Sequence, residues 1–212
     1  MPALRRQPNW KSLHFYQKSQ VLYQLTFVFT QRFLKRGDRT IDQMIQAARS
    51  GKQNIVEGSA DGVTSMEMEI KLMNVARSSI KELKEDYEDY LVSRNLPLWQ
   101  TGHQRYDKMI AFCKEHNQLE DYQPFFDKWS DEEMANIALS LCHFVDRMMT
   151  NYEEHLQKSF VEEGGIKERM TAARLGYRTN QKEEIARLEK ENKELKQEIE
   201  RLKQALKNNQ PA

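Results

Sequence analysis

The stretch RTIDQMIQAARSGKQNIVEGSADG, residues 39–62, decides the fold. Its apolar side chains recur at spacings of three and four, which predicts a helix with one face on a core. That stripe, interrupted by one lysine, comprises Ile41, Met44, Ile45, Ala48, Lys52, Ile55, Val56 and Ser59. The opposite face is small and polar, and it comprises Gln43, Ala47, Ser50, Asn54 and Glu57. Because small side chains let another backbone come close, we expect this second face to contact another helix, another subunit or a ligand.

Three residues of the small face, Ser50, Asn54 and Glu57, form a candidate polar motif near the end of the predicted helix. One interpretation is that Asn54 and Glu57, three residues apart, bind a ligand or a second subunit. The interpretation that we favour is an interhelical hydrogen bond, with Arg77 or a tyrosine of the following helix as the partner.

Glycine and proline are scarce: the 212 residues contain 8 Gly and 5 Pro, and 31% of residues are charged. Long stretches without either residue predict an all-α protein. Apolar periodicity predicts long helices at about 10–35, 40–58, 65–94 and 130–160, and a shorter one at 103–116. Thr40 and Ser130, each followed three residues later by Gln or Glu, are predicted N-caps. We therefore predict an antiparallel up-and-down four-helix bundle over residues 1–162.

A heptad repeat over residues 180–208 predicts a parallel coiled coil. One core position holds Ile185, Asn192, Ile199 and Leu206, and the other holds Leu188, Leu195 and Leu202. Ile at the first position and Leu at the second favour two parallel strands, and a core Asn fixes their register at a cost in stability. The pairs Glu191 with Lys196 and Glu198 with Lys203 have the spacing of interchain ion pairs. Residues 163–179 are predicted to be a basic, amphipathic linker.

The net charge of +1 hides an uneven distribution. Residues 1–60 hold ten Lys/Arg and three Asp/Glu, which gives +7, whereas the balance is −3 in residues 61–100 and −4 in residues 101–179. A basic surface attracts the phosphates of RNA or DNA. The alternative, which we favour, is that these cations pair with the acidic third and fourth helices. The candidate phosphate-binding residues are Arg32, Lys35, Arg36, Arg39, Arg49 and Lys52.

Sequence features also limit the location of the chain. The most hydrophobic run, residues 21–29, is far short of the roughly 20 residues that a membrane-spanning helix needs. The first ten residues have no apolar stretch of the kind found in signal peptides. Two cysteines cannot form a disulfide framework, and free thiols suit a reducing compartment. We predict a cytoplasmic protein that does not contact membranes.

The common chemical motifs are absent from the sequence. No His is preceded by Glu at the spacing of helical di-iron sites. Cys113, His116, Cys142 and His143 could be zinc ligands, but neighbouring residues on a helix diverge by about 100°, which suits one tetrahedral site poorly. No phosphate-binding glycine-rich loop occurs. We therefore expect a non-enzymatic protein without a cofactor.

Two segments resemble a known family: TIDQMIQAARSGKQNIVEGSADGVTSMEMEIKLMNVARSSIKELKEDYEDYL at 40–91 and SFVEEGGIKERMTAARLGYR at 159–178. They look like the bacterial four-helix-bundle family with a C-terminal suffix segment. That family is similar to proteins encoded in intervening sequences of bacterial large-subunit rRNA, and to the accessory protein of diversity-generating retroelements. The likeness covers about residues 10–178, and ARSGKQNIVEG and FVEEGG are its most specific parts.

The resemblance implies a four-helix bundle that often assembles as a ring of five subunits. In the retroelement relatives, a basic surface contacts nucleic acid and a reverse transcriptase. A two-stranded coil implies either that the assembly is not a ring, or that the coils pair within or between rings. Our first hypothesis is a homo-oligomeric accessory or adaptor protein that binds RNA or DNA through its basic N-terminal surface. The second is a protein-interaction scaffold, assembled by the coil, without nucleic-acid binding.

Overall fold

The computed structural model describes the backbone of residues 9–208 and the side chains of residues 9–204. All of the regular structure in this part is helical, which confirms the predicted all-α class. Short 3₁₀ turns occupy Trp10–Ser12 and Gln123–Phe125. The α-helices are α1 (His14–Phe33), α2 (Arg39–Asp61), α3 (Met66–Ser93), α4 (Tyr106–Glu115), α5 (Leu119–Tyr122), α6 (Asp131–Glu163) and α7 (Ile166–Asn208).

Four helices of the unit that ends at Ile166 enclose the core: α1 packs on α2 and α6, and α3 packs on the same two helices. Arg77 of α3 binds Asp146 of α6, whereas Tyr90, further along α3, binds Asp131 at the start of α6. Helices α3 and α6 therefore run antiparallel. The enclosed side chains include Leu22, Leu25, Phe29, Met44, Ile55, Met73, Ile80, Leu83, Tyr87, Met134, Leu141, Val145 and Met149.

Helix ends follow capping chemistry. The predicted capping box at Ser130 is confirmed, since Ser130 Oγ accepts from the Glu133 amide and the Glu133 carboxylate accepts from the Ser130 amide. Thr40 as the N-cap of α2 is wrong. The side chain of Asp38 accepts from the Thr40 amide at 3.0 Å, and this bond holds the pKa of Asp38 below its ordinary value. A carboxylate fits this place because it also meets the positive end of the helix dipole.

Helix α1 begins later than predicted, at His14, because Leu13 is extended (φ −73°, ψ 121°) and separates it from the turn at Trp10–Ser12.

The second unit contains α7 from Lys167 onward. Gly164, with φ 72°, ends α6, a backbone conformation that favours glycine. Helix α7 runs from Ile166 to Asn208 without interruption. Residues 166–179 of the predicted linker and residues 180–208 therefore lie in one continuous helix, which includes Gly176. No described helix is long and apolar enough to span a membrane.

Helices α2 and α3 approach closely at two glycines. A Cβ atom added at Gly51 would lie 2.7 Å from Cδ1 of Ile80, and one added at Gly58 would lie 3.2 Å from Cβ of Leu72. Ala47, on the same helix, is also buried. Part of the small face of α2 therefore contacts another helix, which is one of the three expectations for it.

We predict that Gly51→Val lowers the free energy of unfolding by about 1–3 kcal/mol, because the added methyl groups have to displace the buried Ile80. Urea titration followed by circular dichroism measures this change. The control is Ala60→Val on the exposed side of α2, which introduces the same poor helix former and costs about 0.5 kcal/mol. Equal losses in the two variants would contradict the close approach.

Candidate functional site

The predicted phosphate-binding cations do not act as one group. Arg32 is exposed, but the protein holds its guanidinium, which donates to the carbonyl of Phe126, lies 3.6 Å from Sδ of Met134 and stacks over Phe33. Lys52 is half-buried, with Nζ 4.4 Å from the ring centre of Tyr23. Burial, and then the charge of Arg49, lower the pKa of Lys52.

Three other cations, Lys35, Arg36 and Arg39, are exposed and lie together where α1 connects to α2. Arg49 is also exposed, but ten residues beyond Arg39 on α2, which is roughly 15 Å along the helix. Among the described side chains none of these four, nor Lys52, forms a salt bridge. The alternative in which they pair with the acidic helices is therefore not what the described residues show.

The acidic part of α6 binds a cation of α3 instead. Arg77 Nε lies 3.0 Å from Asp146, and its NH1 lies 2.8 Å from Glu153. Asn74 also donates to Glu153, at 2.9 Å. The two carboxylates raise the pKa of Arg77 despite its partial burial, so it stays charged and holds α3 against α6.

The polar motif on α2 forms an interhelical hydrogen bond through Ser50, whereas we expected it at Asn54 and Glu57. Ser79 Oγ of α3 donates to Ser50 Oγ at 3.0 Å. Asn54 Nδ2 donates to the backbone and hydroxyl oxygens of Ser50 on its own helix, while Glu57 is exposed. Arg77 is not their partner, since it binds α6. An open groove of about 470 Å³ runs beside this contact, lined by Asp42, Gln43, Gln46, Ala47, Ser50, Ser79 and Glu82.

Helix α7 places the predicted oligomerisation residues on one side. Between 50% and 57% of each large apolar side chain of the heptad is exposed: Ile185, Leu188, Leu195, Ile199 and Leu202. Asn192 lies in the same stripe and lines a groove with Ile185 and Leu188. Leu206 belongs to the same repeat, but its side chain lies outside the described residues. The stripe is an uncovered apolar surface in the single chain.

Sequence reasoning missed one feature, an aromatic pocket of about 350 Å³ formed by α4, the connections on either side of it and the start of α6. Its walls are the rings of Trp99, Phe112, Phe125 and Trp129, together with Arg105, Lys108, Met109, Glu133 and Ile137. The segment that holds Phe125 and Trp129 is predicted from sequence only to close one end of the core. The signal that could have revealed the pocket is Trp99, a large aromatic residue in the connection between α3 and α4.

Hydrogen bonds fix the pocket on α6. The Trp99 amide donates to Asn136 Oδ1 at 2.7 Å, and its indole Nε1 donates to Glu132 at 2.6 Å. Asn136 also donates to the carbonyl of Pro97. The amide of one buried Asn therefore holds the backbone on both sides of Leu98, so Trp99 does not depend on loop packing alone.

A buried lysine holds the other end of α4. Lys18 of α1 is inaccessible to solvent, and its Nζ donates to the carbonyls of Cys113 and His116. Burial lowers the pKa of Lys18. These carbonyls belong to the end of α4, where the helix dipole is negative, so the ammonium fulfils a structural role.

The two cysteines that we considered as zinc ligands are both buried free thiols. Burial raises the pKa of Cys113 to about 12 and raises the pKa of Cys142 further. Within residues 9–204, no three His, Cys, Asp or Glu side chains are grouped as a metal site requires.

The chain was compared with protein-family models, with curated proteins and with solved structures, and none of them matches it.

Buried cysteine and tyrosine side chains make the stability of the fold sensitive to alkaline pH. Burial raises the pKa of both thiols, of Tyr87 and Tyr122, and of Tyr90 to about 12. In the unfolded chain these groups ionise at about pH 8.5–10. The folded state keeps their protons there, so the stabilisation is complete below this range and is lost as pH rises from it toward the raised pKa values of the folded state.

We predict that the free energy of unfolding in urea falls between about pH 8 and pH 11, by up to about 1.4 kcal/mol per pH unit for each buried group. Cys142→Ala removes one of these groups and makes the decline shallower. A free energy of unfolding that is constant over this range, or equally steep in the variant, would contradict the burial of these groups.

Proposed function

We propose that this chain is a non-enzymatic scaffold protein, without a cofactor, that assembles with copies of itself through α7. Its core is an antiparallel up-and-down four-helix bundle, and α7 forms a parallel coiled coil. The observation that carries the proposal is the half-exposed apolar stripe of α7. Its two free thiols suit the reducing cytoplasm.

Apolar burial supplies the driving force for this assembly. Covering a Leu or Ile side chain fully is worth about 1.5–3 kcal/mol. A single chain leaves five such side chains half in water, and an identical stripe on a second helix can cover them. Asn192 in the stripe then selects a register in which the two amides meet.

Charges beside the stripe favour a parallel second copy. Glu191 and Lys196 form no salt bridge in the described part of their own chain, and they have the spacing that pairs them across a parallel dimer. Glu198 and Lys203 bind Arg201 and Glu200 within the helix, at 3.6 and 3.0 Å. Such exposed pairs are worth little, so exchanging them for interchain pairs costs little.

The family resemblance supports an accessory role for such an assembly. The suffix-type bundles to which the sequence is similar form homo-oligomers, so the assembled state proposed here is either a dimer or a ring of five subunits. A protein partner such as a reverse transcriptase belongs to this proposal, as the retroelement relatives suggest.

Nucleic-acid binding is the second candidate function. It is favoured by the exposed cations Lys35, Arg36 and Arg39, which have no salt-bridge partner among the described residues. Arg49 lies farther along α2, and Arg32 and Lys52 contribute less because each is held by the protein. This function is compatible with the scaffold, since an oligomer presents several copies of the cluster.

We predict that Leu195→Glu lowers the mass measured by light scattering to that of a single chain, because a charge replaces a core position of the coil. The matched control is Lys190→Glu, which lies on the opposite side of α7 and should leave the mass unchanged. If Leu195→Glu retains the full oligomeric mass, α7 is not the assembly element.

We predict that changing Lys35, Arg36 and Arg39 together to Ala weakens RNA or DNA binding and reduces the slope of log K against log salt by about 2, since each phosphate contact on a single strand contributes about 0.7. Fluorescence anisotropy with a labelled single-stranded oligonucleotide, measured at several salt concentrations, gives that slope.

The matched control for this triple variant changes Lys71, Lys81 and Lys114, three exposed lysines elsewhere on the surface, to Ala. It removes the same charge and should leave the slope nearly unchanged. Equal slopes for both triple variants would show that binding is not localised at the α1–α2 connection.

A further inference from the structure

The aromatic pocket has the size and walls of a binding site for one large apolar side chain. Its volume of about 350 Å³ is at the lower end of the range for ligand pockets. Phe125 and Trp129 are stacked at 15° with their ring centres 5.3 Å apart, and Phe112 meets both rings edge-on. Phe125, which is 37% exposed, forms part of the rim.

The pocket is built on fixed supports. The indole of Trp99 is anchored by Glu132, stacks with His103 at 5.1 Å and lies 5.6 Å from the guanidinium of Arg105. Met109 forms part of the wall and is buried on α4. A side chain of a partner would therefore enter a pocket whose walls are already ordered, which reduces the entropy cost of binding.

The charges that remain available at the rim are positive. One oxygen of Glu133 accepts from Arg105 at 2.8 Å, and the other accepts from the Ser130 amide at 2.9 Å. Lys108 lines the pocket without a salt bridge to any described residue, and Lys128 Nζ lies 5.6 Å from the ring centre of Phe125. A partner with carboxylates beside its apolar side chain complements this arrangement.

We propose that this pocket binds an apolar side chain from an acidic segment of a partner protein. A nucleobase fits less well, because the Trp99 indole N–H is already bonded to Glu132 and the remaining walls are mainly rings and aliphatic groups. The polar edge of a base would lose water there without gaining hydrogen bonds. The proposal does not depend on α7 or on the cations of the α1–α2 connection.

The test uses the full-length chain and the peptide Ac-Asp-Glu-Phe-Leu-Asp-Glu-NH2. Trp99 and Trp129 line the pocket, so tryptophan emission reports binding directly, and the peptide contains no tryptophan. We expect a saturable change in emission at up to millimolar peptide. Two control peptides, Ac-Lys-Lys-Phe-Leu-Lys-Lys-NH2 and Ac-Asp-Glu-Ser-Ser-Asp-Glu-NH2, keep either the apolar pair or the charge, and both should bind at least about tenfold more weakly.

Protein variants then locate the site. Phe125→Ala should weaken binding of the acidic peptide at least about fivefold by shortening the wall. Lys108→Glu should weaken it by a similar factor and improve binding of the basic peptide, a gain that a misfolded variant would not show. The control is Lys114→Glu on the same helix, outside the pocket lining, which should bind like the unmodified chain.

Three results would overturn the proposal. The first is an emission that does not change with the acidic peptide. The second is equal binding by the unmodified chain, Phe125→Ala and Lys108→Glu. The third is displacement of the acidic peptide by a single-stranded oligonucleotide that loses affinity in Phe125→Ala, which would assign the pocket to nucleic acid instead.

Discussion

The close approach of α2 to α3, at positions where α2 has no side chain, is the constraint on which the described core depends. Gly51 and Gly58 are seven residues apart and therefore lie on one side of α2, about two turns from each other. Ile80 and Met73 of α3 fill the space beside them. This contact sets the register of α3, and from that register follow the contacts of Arg77 with α6 and of Tyr87 with α1. A larger side chain at either glycine would disturb these contacts together.

Buried polar groups then fix elements that the apolar core alone would leave free to slide. Lys18 holds the end of α4, Asn136 holds the connection that carries Trp99, and the Tyr87 hydroxyl donates to Thr26 at 2.9 Å. In each case a partner in another element satisfies the buried group, so specificity is gained without leaving a polar atom unpaired. One wall of the aromatic pocket depends on the same kind of bond, since Asn136 and Glu132 hold Trp99 in place.

The extent to which sequence predicted this structure depends on how local each determinant is. The capping box at Ser130 and the stripe of Met44, Ala48 and Ile55 are set by neighbouring residues, and they were predicted correctly. The cap of α2 was misassigned because Asp38 and Thr40, two residues apart, are both favourable N-cap residues. The structural contact of Arg32 could not be predicted from the sequence, because its partner, the carbonyl of Phe126, is 94 residues away. The aromatic pocket was missed for the same reason: its rings come from separate segments, and no spacing rule joins them.

Amide hydrogen exchange of the full-length chain at several protein concentrations tests the account most directly. If one core is held by the contact between α2 and α3 and α7 is covered by a second copy, buried amides of α2 and α3 exchange together at the slowest rate, independent of concentration. Amides of α7 exchange faster and slow down as concentration rises, because association protects them. Exchange in α7 that is unaffected by concentration, or α2 exchanging much faster than α3, would contradict the account.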